Sequence, residues 1–115
     1  MVKNILIVDD RLDDLESMKK ILEKENYLVV AVTNETEVLE KIAEKVFDLI
    51  ILDIIMPHSG YDLLKTLKKK LGHKSKIAYI SIVPKQDVKM DGADGFIQKP
   101  FSNEDFITNV RSLLK

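Results

Sequence analysis

The segment Asp48–Pro57, DLIILDIIMP, contains four consecutive aliphatic residues that end in a carboxylate, Asp53. A continuous aliphatic run of this kind, without alternation, is typical of a strand covered on both faces of a parallel sheet. Placing a charge in such an apolar setting is energetically costly. The position of Asp53 at the end of the run therefore indicates that the acid has a purpose other than packing.

Similar runs recur along the chain and alternate with segments of helical periodicity. The further strand-like runs are ILIV (5–8), LVVAV (28–32), IAYI (77–80) and FI (96–97). Apolar residues spaced by three and four predict helices between them. The predicted helical faces are Leu12, Leu15, Met18 and Leu22; Val38, Leu39, Ile42, Ala43 and Val46; Leu63, Leu64, Leu67 and Leu71; and Phe106, Ile107, Val110, Leu113 and Leu114.

Local signals predict the ends of several helices. Asn34 is a plausible N-cap with Glu37 three residues on, Ser102 is placed to cap the last helix, and Gly72 ends the third. The stretch between Ser81 and Phe96 has Pro84 at a possible first helical position but few apolar residues before two glycines, so we expect one or two turns there. The pattern predicts an α/β chain, β–α repeated five times in a three-layer sandwich with right-handed crossovers.

Composition narrows the possible functions. A chain of 115 residues can bury a core as one domain, so we expect a single domain over 1–115. The formal net charge is −1 and no basic stripe is present, which argues against nucleic-acid or membrane-surface binding. There are no cysteines, which excludes disulfides, zinc thiolates and cysteine nucleophiles. We expect a soluble cytoplasmic domain.

Polar residues follow the predicted strands at one end. Asp9 and Asp10 follow the first strand, Asp53 ends the third, Ser81 the fourth, and Lys99 follows the fifth. The carboxyl ends of strands form the edge at which open α/β sheets bind ligands. With strand order 2-1-3-4-5, these groups converge on one pocket.

The chemistry of such a pocket is restricted by its charge. Two carboxylates about 4 Å apart repel by roughly 4 kcal/mol at an effective dielectric constant near 20. Lys99 supplies one positive charge, and Mg²⁺ is the cation that best fits a few carboxylates with retained waters. Metal, ammonium and the Ser81 hydroxyl could together accept a phosphoryl group. Taken singly, each of these residues could equally be a turn or cap residue. Asp13, Asp14 and Asp62 lie in or near first helical turns and are interpreted as structural.

The residues resemble the receiver domains of two-component response regulators, of which CheY is the minimal form. The resemblance covers essentially the whole chain and rests on four motifs: ILIVDD, LIILDIIMP, IAYIS and GADGFIQKPF. It implies a flavodoxin-like (βα)5 sandwich with a parallel sheet of order 2-1-3-4-5. It also implies a signalling domain in phosphorelay signal transduction that is not a turnover enzyme.

The resemblance implies specific roles for the acidic residues. Asp53 is expected to be the phosphoacceptor, phosphorylated by a sensor histidine kinase or a phosphotransfer protein. Asp10, Asp53 and the backbone carbonyl of Ile55 are expected to bind Mg²⁺, with Asp9 acting mainly through a bound water. The downstream partner is unknown.

Other roles concern the response to phosphorylation. Lys99 is expected to pair with the phosphoryl oxygens, and Ser81 to move in and donate to them. Phe96 occupies the aromatic position whose rotamer follows this movement. The Lys99–Pro100 bond is expected to be cis.

Three departures from the family pattern affect these expectations. His58 and Ser59 alone separate Pro57 from Gly60, so the loop after the acceptor should be tighter. Ile55 and Ile82 place bulky side chains beside the phosphoryl site, where they could exclude water or obstruct partners. The interval from Ser81 to Lys99 is short, which predicts a shortened fourth helix. A monomer or a weak phosphorylation-dependent dimer is expected.

Three alternatives remain beside this interpretation. A degenerate receiver would keep the fold as a protein-interaction module that is never phosphorylated. A Mg²⁺-dependent phosphatase with an Asp nucleophile would usually carry a second Asp at the position of Ile55. A flavin-binding protein of similar topology would need a phosphate loop after the first strand, where this chain has the acidic VDDRLDD.

Overall fold

Five parallel strands form the centre of the molecule. The computed structural model describes residues 2–56 and 60–115. In chain order the elements are β1 (Asn4–Val8), α1 (Leu12–Lys24), β2 (Leu28–Val32), α2 (Glu35–Glu44), β3 (Leu49–Asp53), α3 (Gly60–Leu71), β4 (Lys76–Ser81), a 3-10 turn (Lys85–Asp87), β5 (Gly95–Gln98) and α4 (Asn103–Leu113). The strand order is β2-β1-β3-β4-β5, with every pair parallel, which confirms the predicted sheet.

The helices cover the sheet on both faces. Side chains of β3 alternate between two apolar clusters, because successive residues of a strand point to opposite faces. Leu49 and Ile51 join the cluster formed with α1 and α4, whereas Ile50 and Leu52 join the one formed with α2 and α3. Burying one such side chain contributes about 1.5–3 kcal/mol. The three-layer sandwich is therefore confirmed, and β3 contributes side chains to the apolar clusters on both faces of the sheet.

Three apolar residues assigned to helical faces, Leu12, Ala43 and Val46, are exposed and were assigned wrongly. Leu12 is 64% exposed as the first residue of α1, and Ile21 is buried although it was not predicted to be. Val46 is 60% exposed because α2 ends at Glu44, before the periodicity of the sequence does.

Within the described part of the chain, no helix is long and apolar enough to cross a membrane.

The predicted helix ends are confirmed by their hydrogen bonds. The backbone N–H of Glu37 donates to the side-chain oxygen of Asn34 over 2.9 Å. In return the Glu37 carboxylate accepts from the backbone N–H and hydroxyl of Thr33, and these bonds lower the pKa of Glu37. Ser102 caps α4, and Gly72, at φ 58°, follows the last residue of α3.

The fourth crossover contains one turn of 3-10 helix, which is the lower end of the predicted one or two helical turns. Residues 82–94 contain a single 3-10 turn and no α-helix, so the chain has four α-helices among its described residues. Pro84 is extended, at φ −58° and ψ 142°, and Gly92 has a φ of 92°. Neither conformation is that of an α-helix, so helix formation is restricted at both ends of this segment. The extended backbone lets Val88 and Met90, two residues apart, both contact the core. The short crossover thus covers the sheet without a helix.

Candidate functional site

Two of the side chains predicted to meet at the carboxyl edge of the sheet, those of Asp9 and Asp53, contact the ammonium group of a third, Lys99. Lys99 Nζ donates to Asp9 Oδ2 over 2.8 Å and to Asp53 Oδ2 over 3.2 Å. Asp9 follows β1, Asp53 ends β3, and Lys99 follows β5. The neighbouring order of β1 and β3 brings the two carboxylates together, and Lys99 reaches them from the edge strand.

Both carboxylates are buried and fully engaged. The Asp9 side chain is 0% exposed and that of Asp53 is 5% exposed. Asp9 Oδ1 accepts from the backbone N–H of Arg11, and Asp53 Oδ1 accepts from that of Ile55, each over 2.9 Å. One oxygen of each acid therefore binds a backbone donor and the other binds the ammonium, which is how buried carboxylates are normally stabilised.

The charges in the site shift the acid–base properties of its members. Burial raises the pKa of Asp53 to about 6, against the lowering effects of the Ile55 N–H and of Lys99. Burial by itself would lower the pKa of Lys99, but hydrogen bonds to Asp9 and Asp14 and the charge of Asp53 leave the pKa above its ordinary value. The site thus holds more negative charge than one ammonium can offset.

Three carboxylates are arranged so that one ion could contact them all. Asp9, Asp10 and Asp53 offer oxygens that lie within 4.8 Å of one another, with Asp10 exposed and the other two buried. Oxygen ligands of this number, beside open space for water, fit Mg²⁺. The predicted role of the Ile55 carbonyl stays a prediction, although Ile55 does line the same cavity.

An open cavity of about 550 Å³ extends from these acids. It is lined by Asp10, Arg11, Asp14, Ser17, Asp53, Ile55, Ile82, Lys99, Pro100 and Phe101. Ile55 and Ile82 are 51% and 65% exposed, so both predicted access residues present apolar surface at the opening. The Lys99–Pro100 peptide bond beside them is cis, as predicted.

The two residues predicted to respond to phosphorylation lie on the same face of the sheet. Ser81 is buried, and its hydroxyl oxygen accepts from the backbone N–H of Val83 over 3.1 Å. Phe96 is half-buried and pairs in register with Tyr79, two residues before Ser81. Ser81 is not among the residues that line the cavity. Its predicted contact with a phosphoryl group, made by an inward movement of the loop, stays a prediction.

Sequence reasoning missed two residues of the site. Asp14, interpreted as a first-turn charge, has Oδ2 at 3.0 Å from Lys99 Nζ. It lies in the first turn of α1, four residues after Asp10, and this short separation from the predicted metal ligand could have indicated that its carboxylate reaches the same site. Gln98 donates from its side chain to the backbone oxygens of Ser81 and Val83, and so holds the loop after β4. Asp13 is exposed in the first turn of α1, as expected.

The loop after the acceptor is only partly described. The predicted tightening at His58 and Ser59 lies outside the described residues. The backbone N–H of Gly60 donates to the carbonyl of Ile54 over 3.1 Å, which connects the start of α3 to the residue after Asp53.

Comparison with known families and proteins finds matches along most of this chain. The family model for the response regulator receiver domain matches residues 5–111. Response regulator SaeR of Staphylococcus aureus is 30% identical over 96% of this chain. The match covers 50% of SaeR, so the chain spans about half the length of the curated relatives it matches.

Solved structures agree with the family match along nearly the whole chain. A CheY-like receiver domain protein of Methanospirillum hungatei is 32% identical, with a TM-score of 0.88 over 99% of this chain and 94% of that one. The response regulator TrrA of Thermotoga maritima, solved in complex with Mg²⁺ and BeF, is also 32% identical. Its TM-score is 0.87, and the match covers 98% of this chain and all of TrrA.

Proposed function

Because the chain belongs to the response regulator receiver domain family, we propose that it accepts a phosphoryl group on Asp53 and passes the signal to a partner protein. The donor is a phosphohistidine on a sensor histidine kinase or a phosphotransfer protein. The observation that carries the proposal is the position of Lys99, which hydrogen-bonds Asp53 beside a cluster of three carboxylates. This is a signalling reaction and not turnover of an external substrate.

Two contacts of Asp53 support phosphoryl transfer to its carboxylate. A carboxylate oxygen of Asp53 forms a bond to phosphorus, the N–P bond of the donor breaks, and its electron pair returns to the imidazole nitrogen. The Ile55 N–H, which donates to Asp53 Oδ1, fixes the orientation of the carboxylate. The Lys99 ammonium, at 3.2 Å from Oδ2, offsets charge on the incoming oxygens.

Asp9, Asp10 and Asp53 would hold Mg²⁺, with the Ile55 carbonyl as a further ligand. The ion would supply positive charge that stabilises the transferring group. Support comes from the oxygens of the three acids, which lie close enough for one ion. TrrA, solved with Mg²⁺ and BeF, has the same fold and 32% identity.

Ile55 and Ile82 would control access to the phosphoryl group. Both expose apolar side chains at the mouth of the cavity that contains Asp53. Apolar surface there would limit the water that hydrolyses the aspartyl phosphate, and the phosphorylated form would be long-lived.

Phosphorylation would be transmitted through Ser81 and Phe96. The Ser81 hydroxyl would donate to a phosphoryl oxygen, and the loop held by Gln98 would follow. Phe96, on the same face of the sheet, would change rotamer with it. The output is a change in protein binding in the cytoplasm, by a monomer or a weak phosphorylation-dependent dimer, without nucleic-acid or membrane binding by this domain.

A phosphorylation-independent interaction module is the second candidate. The observation that favours it is the environment of Lys99, whose ammonium already contacts three carboxylates. In such a module this cluster would serve only to hold the carboxyl edge of the sheet together.

Intact-mass measurement after incubation with Mg²⁺ and acetyl phosphate distinguishes the two candidates. The proposal expects one added phosphoryl group on the wild type and none on Asp53→Asn or on the metal-free protein. Mg²⁺ and beryllofluoride titrations serve as a second readout, because they do not depend on the chemistry of the donor. A protein that binds neither and gains no mass is the interaction module.

A further inference from the structure

We infer that Asp14 is a positioning residue that competes with the phosphoryl group for Lys99 and strengthens Mg²⁺ binding. The inference rests on the proposed function and concerns the same site. Asp14 lies on α1, four residues after Asp10, and its carboxylate lines the cavity that leads to Asp53.

The hydrogen-bonding capacity of Lys99 is the starting point. An ammonium group has three N–H donors and no acceptor. In this structure Lys99 Nζ contacts three carboxylate oxygens, those of Asp9, Asp14 and Asp53, at 2.8, 3.0 and 3.2 Å. All three donors are therefore in use, and a phosphoryl oxygen can bind Lys99 only if one carboxylate gives up its hydrogen bond.

The exposure of the three acids decides which bond is released. The Asp9 side chain is 0% exposed, so losing the ammonium would leave a buried, poorly compensated charge. Asp53 carries the phosphoryl group and stays beside Lys99. The Asp14 side chain is 40% exposed and reaches water without moving.

A second cation is available to Asp14 once it releases Lys99. Arg11 Nε lies 3.6 Å from Asp14 Oδ2, the same oxygen that contacts Lys99. Asp14 can therefore exchange Lys99 for Arg11, the N-cap residue of its own helix. This makes its bond to Lys99 the least costly of the three to break.

The charge of Asp14 acts in opposite directions on the two ligands of the site. It attracts Mg²⁺ by adding negative charge beside the carboxylates that would hold the ion. It opposes a phosphoryl group or an analogue by occupying Lys99 and by repelling the anion. Loss of Asp14 should therefore weaken Mg²⁺ binding and strengthen anion binding. A residue with a purely structural role would weaken both when removed, because the site would lose its shape.

The test measures both affinities in matched variants. Mg²⁺ is titrated by calorimetry into wild type, Asp14→Asn and Asp13→Asn, and beryllofluoride is then titrated at saturating Mg²⁺. Asp13 is the matched control because it is exposed, adjacent and equally charged. For Asp14→Asn we expect Mg²⁺ affinity to fall and beryllofluoride affinity to rise, each by roughly 2- to 5-fold, the effect of one partly screened charge. Asp13→Asn should change either affinity by less than about 1.5-fold.

A conservative replacement and a kinetic measurement complete the design. Asp14→Glu keeps the charge and should retain the wild-type Mg²⁺ affinity. With acetyl phosphate as donor at saturating Mg²⁺, Asp14→Asn should lower the half-saturating donor concentration more than it changes the maximal rate, because competition for Lys99 acts on anion binding.

The outcomes separate this inference from the proposed function. If Asp14→Asn matches Asp13→Asn in both affinities, or weakens both ligands, the inference is overturned while phosphorylation of Asp53 stands. If the wild type binds neither Mg²⁺ nor beryllofluoride, the proposed function fails and the inference fails with it.

Discussion

Replacing Asp53 with Asn should stabilise the metal-free protein at neutral pH. The Asp53 side chain is 5% exposed in a site that holds other acids, and it has one ammonium as its nearest positive partner. The amide introduced by Asp53→Asn would keep an oxygen that accepts from the Ile55 N–H, since the two side chains have nearly the same shape. The substitution therefore removes a buried charge with little change in packing.

The size of the gain follows from the shifted pKa. Burial raises the pKa of Asp53 from 3.8 to about 6. At 1.36 kcal/mol per pKa unit, this shift corresponds to about 3 kcal/mol of destabilisation when the acid is ionised. Because Asp53 also lines an open cavity, screening by water reduces the expected gain to about 2 kcal/mol.

The pH dependence has a definite sign. An acid whose pKa is higher in the folded state binds more protons there, so the free energy of unfolding falls as pH rises between the two pKa values. The penalty is absent below pH 3.8 and complete above about pH 6. The gain from Asp53→Asn should therefore develop across this window and stay constant above it.

Urea unfolding in EDTA, followed by circular dichroism from pH 4 to pH 8, measures this gain. Asp13→Asn is the control, because it removes the same charge from an exposed position. Adding Mg²⁺ should reduce the difference, since an ion at ten times its dissociation constant stabilises the wild type by about 1.4 kcal/mol. If Asp53→Asn is no more stable than Asp13→Asn at pH 7.5, Asp53 is already compensated in the folded protein and the reasoning is wrong.

Three further predictions test the surroundings of the site. Ile55→Asn combined with Ile82→Ala should shorten the half-life of the phosphorylated protein several-fold, as measured by intact mass. The control Val46→Ala, which also changes an exposed apolar residue, should leave the half-life unchanged. Equal half-lives of the double variant and the wild type would show that Ile55 and Ile82 do not control access of water. Gly60→Ala should lower the free energy of unfolding by more than about 1 kcal/mol, because its Cβ would lie 2.6 Å from the backbone oxygen of the last residue of β3; unchanged urea stability would show that this backbone can yield. Tyr79→Phe should raise the free energy of unfolding by about 1 kcal/mol, because the buried hydroxyl has no hydrogen-bond partner among the described residues. Burial raises the pKa of this hydroxyl, so it stays neutral, and a loss of stability in the same assay would contradict the prediction.

Much of the fold was predictable from local patterns in the sequence. Continuous aliphatic runs such as the one before Asp53 indicated strands buried on both faces, and the caps at Asn34 and Ser102 marked helix starts. Each signal depends on residues that are close in sequence, so the local structure that it predicts is found in the folded protein. The convergence of Asp9, Asp53 and Lys99 was predictable for a related reason, because parallel strands place their carboxyl ends at one edge.

Other features were decided only when elements packed together. The spacing of apolar residues predicts a helix and its buried face, but it does not predict the residue at which α2 ends or which turn of α1 packs against the sheet. The exposure of Leu12 and Val46 was missed for that reason. The crossover at residues 82–94 became extended because two apolar residues there could reach the core without a helix.

Asp14 illustrates the same limit within the site. Its sequence position indicated a favourable charge at a helix N-terminus, and this part of the interpretation agrees with the structure. Its contact with Lys99 joins residues 85 positions apart, and it depends on how α1 is rotated against the sheet.

The sequence by itself determined which charged groups the chain places at the ends of its strands. The tertiary structure decided which carboxylates share the one ammonium, because that depends on the packing of α1 against β1 and on the path that brings Lys99 to the same edge.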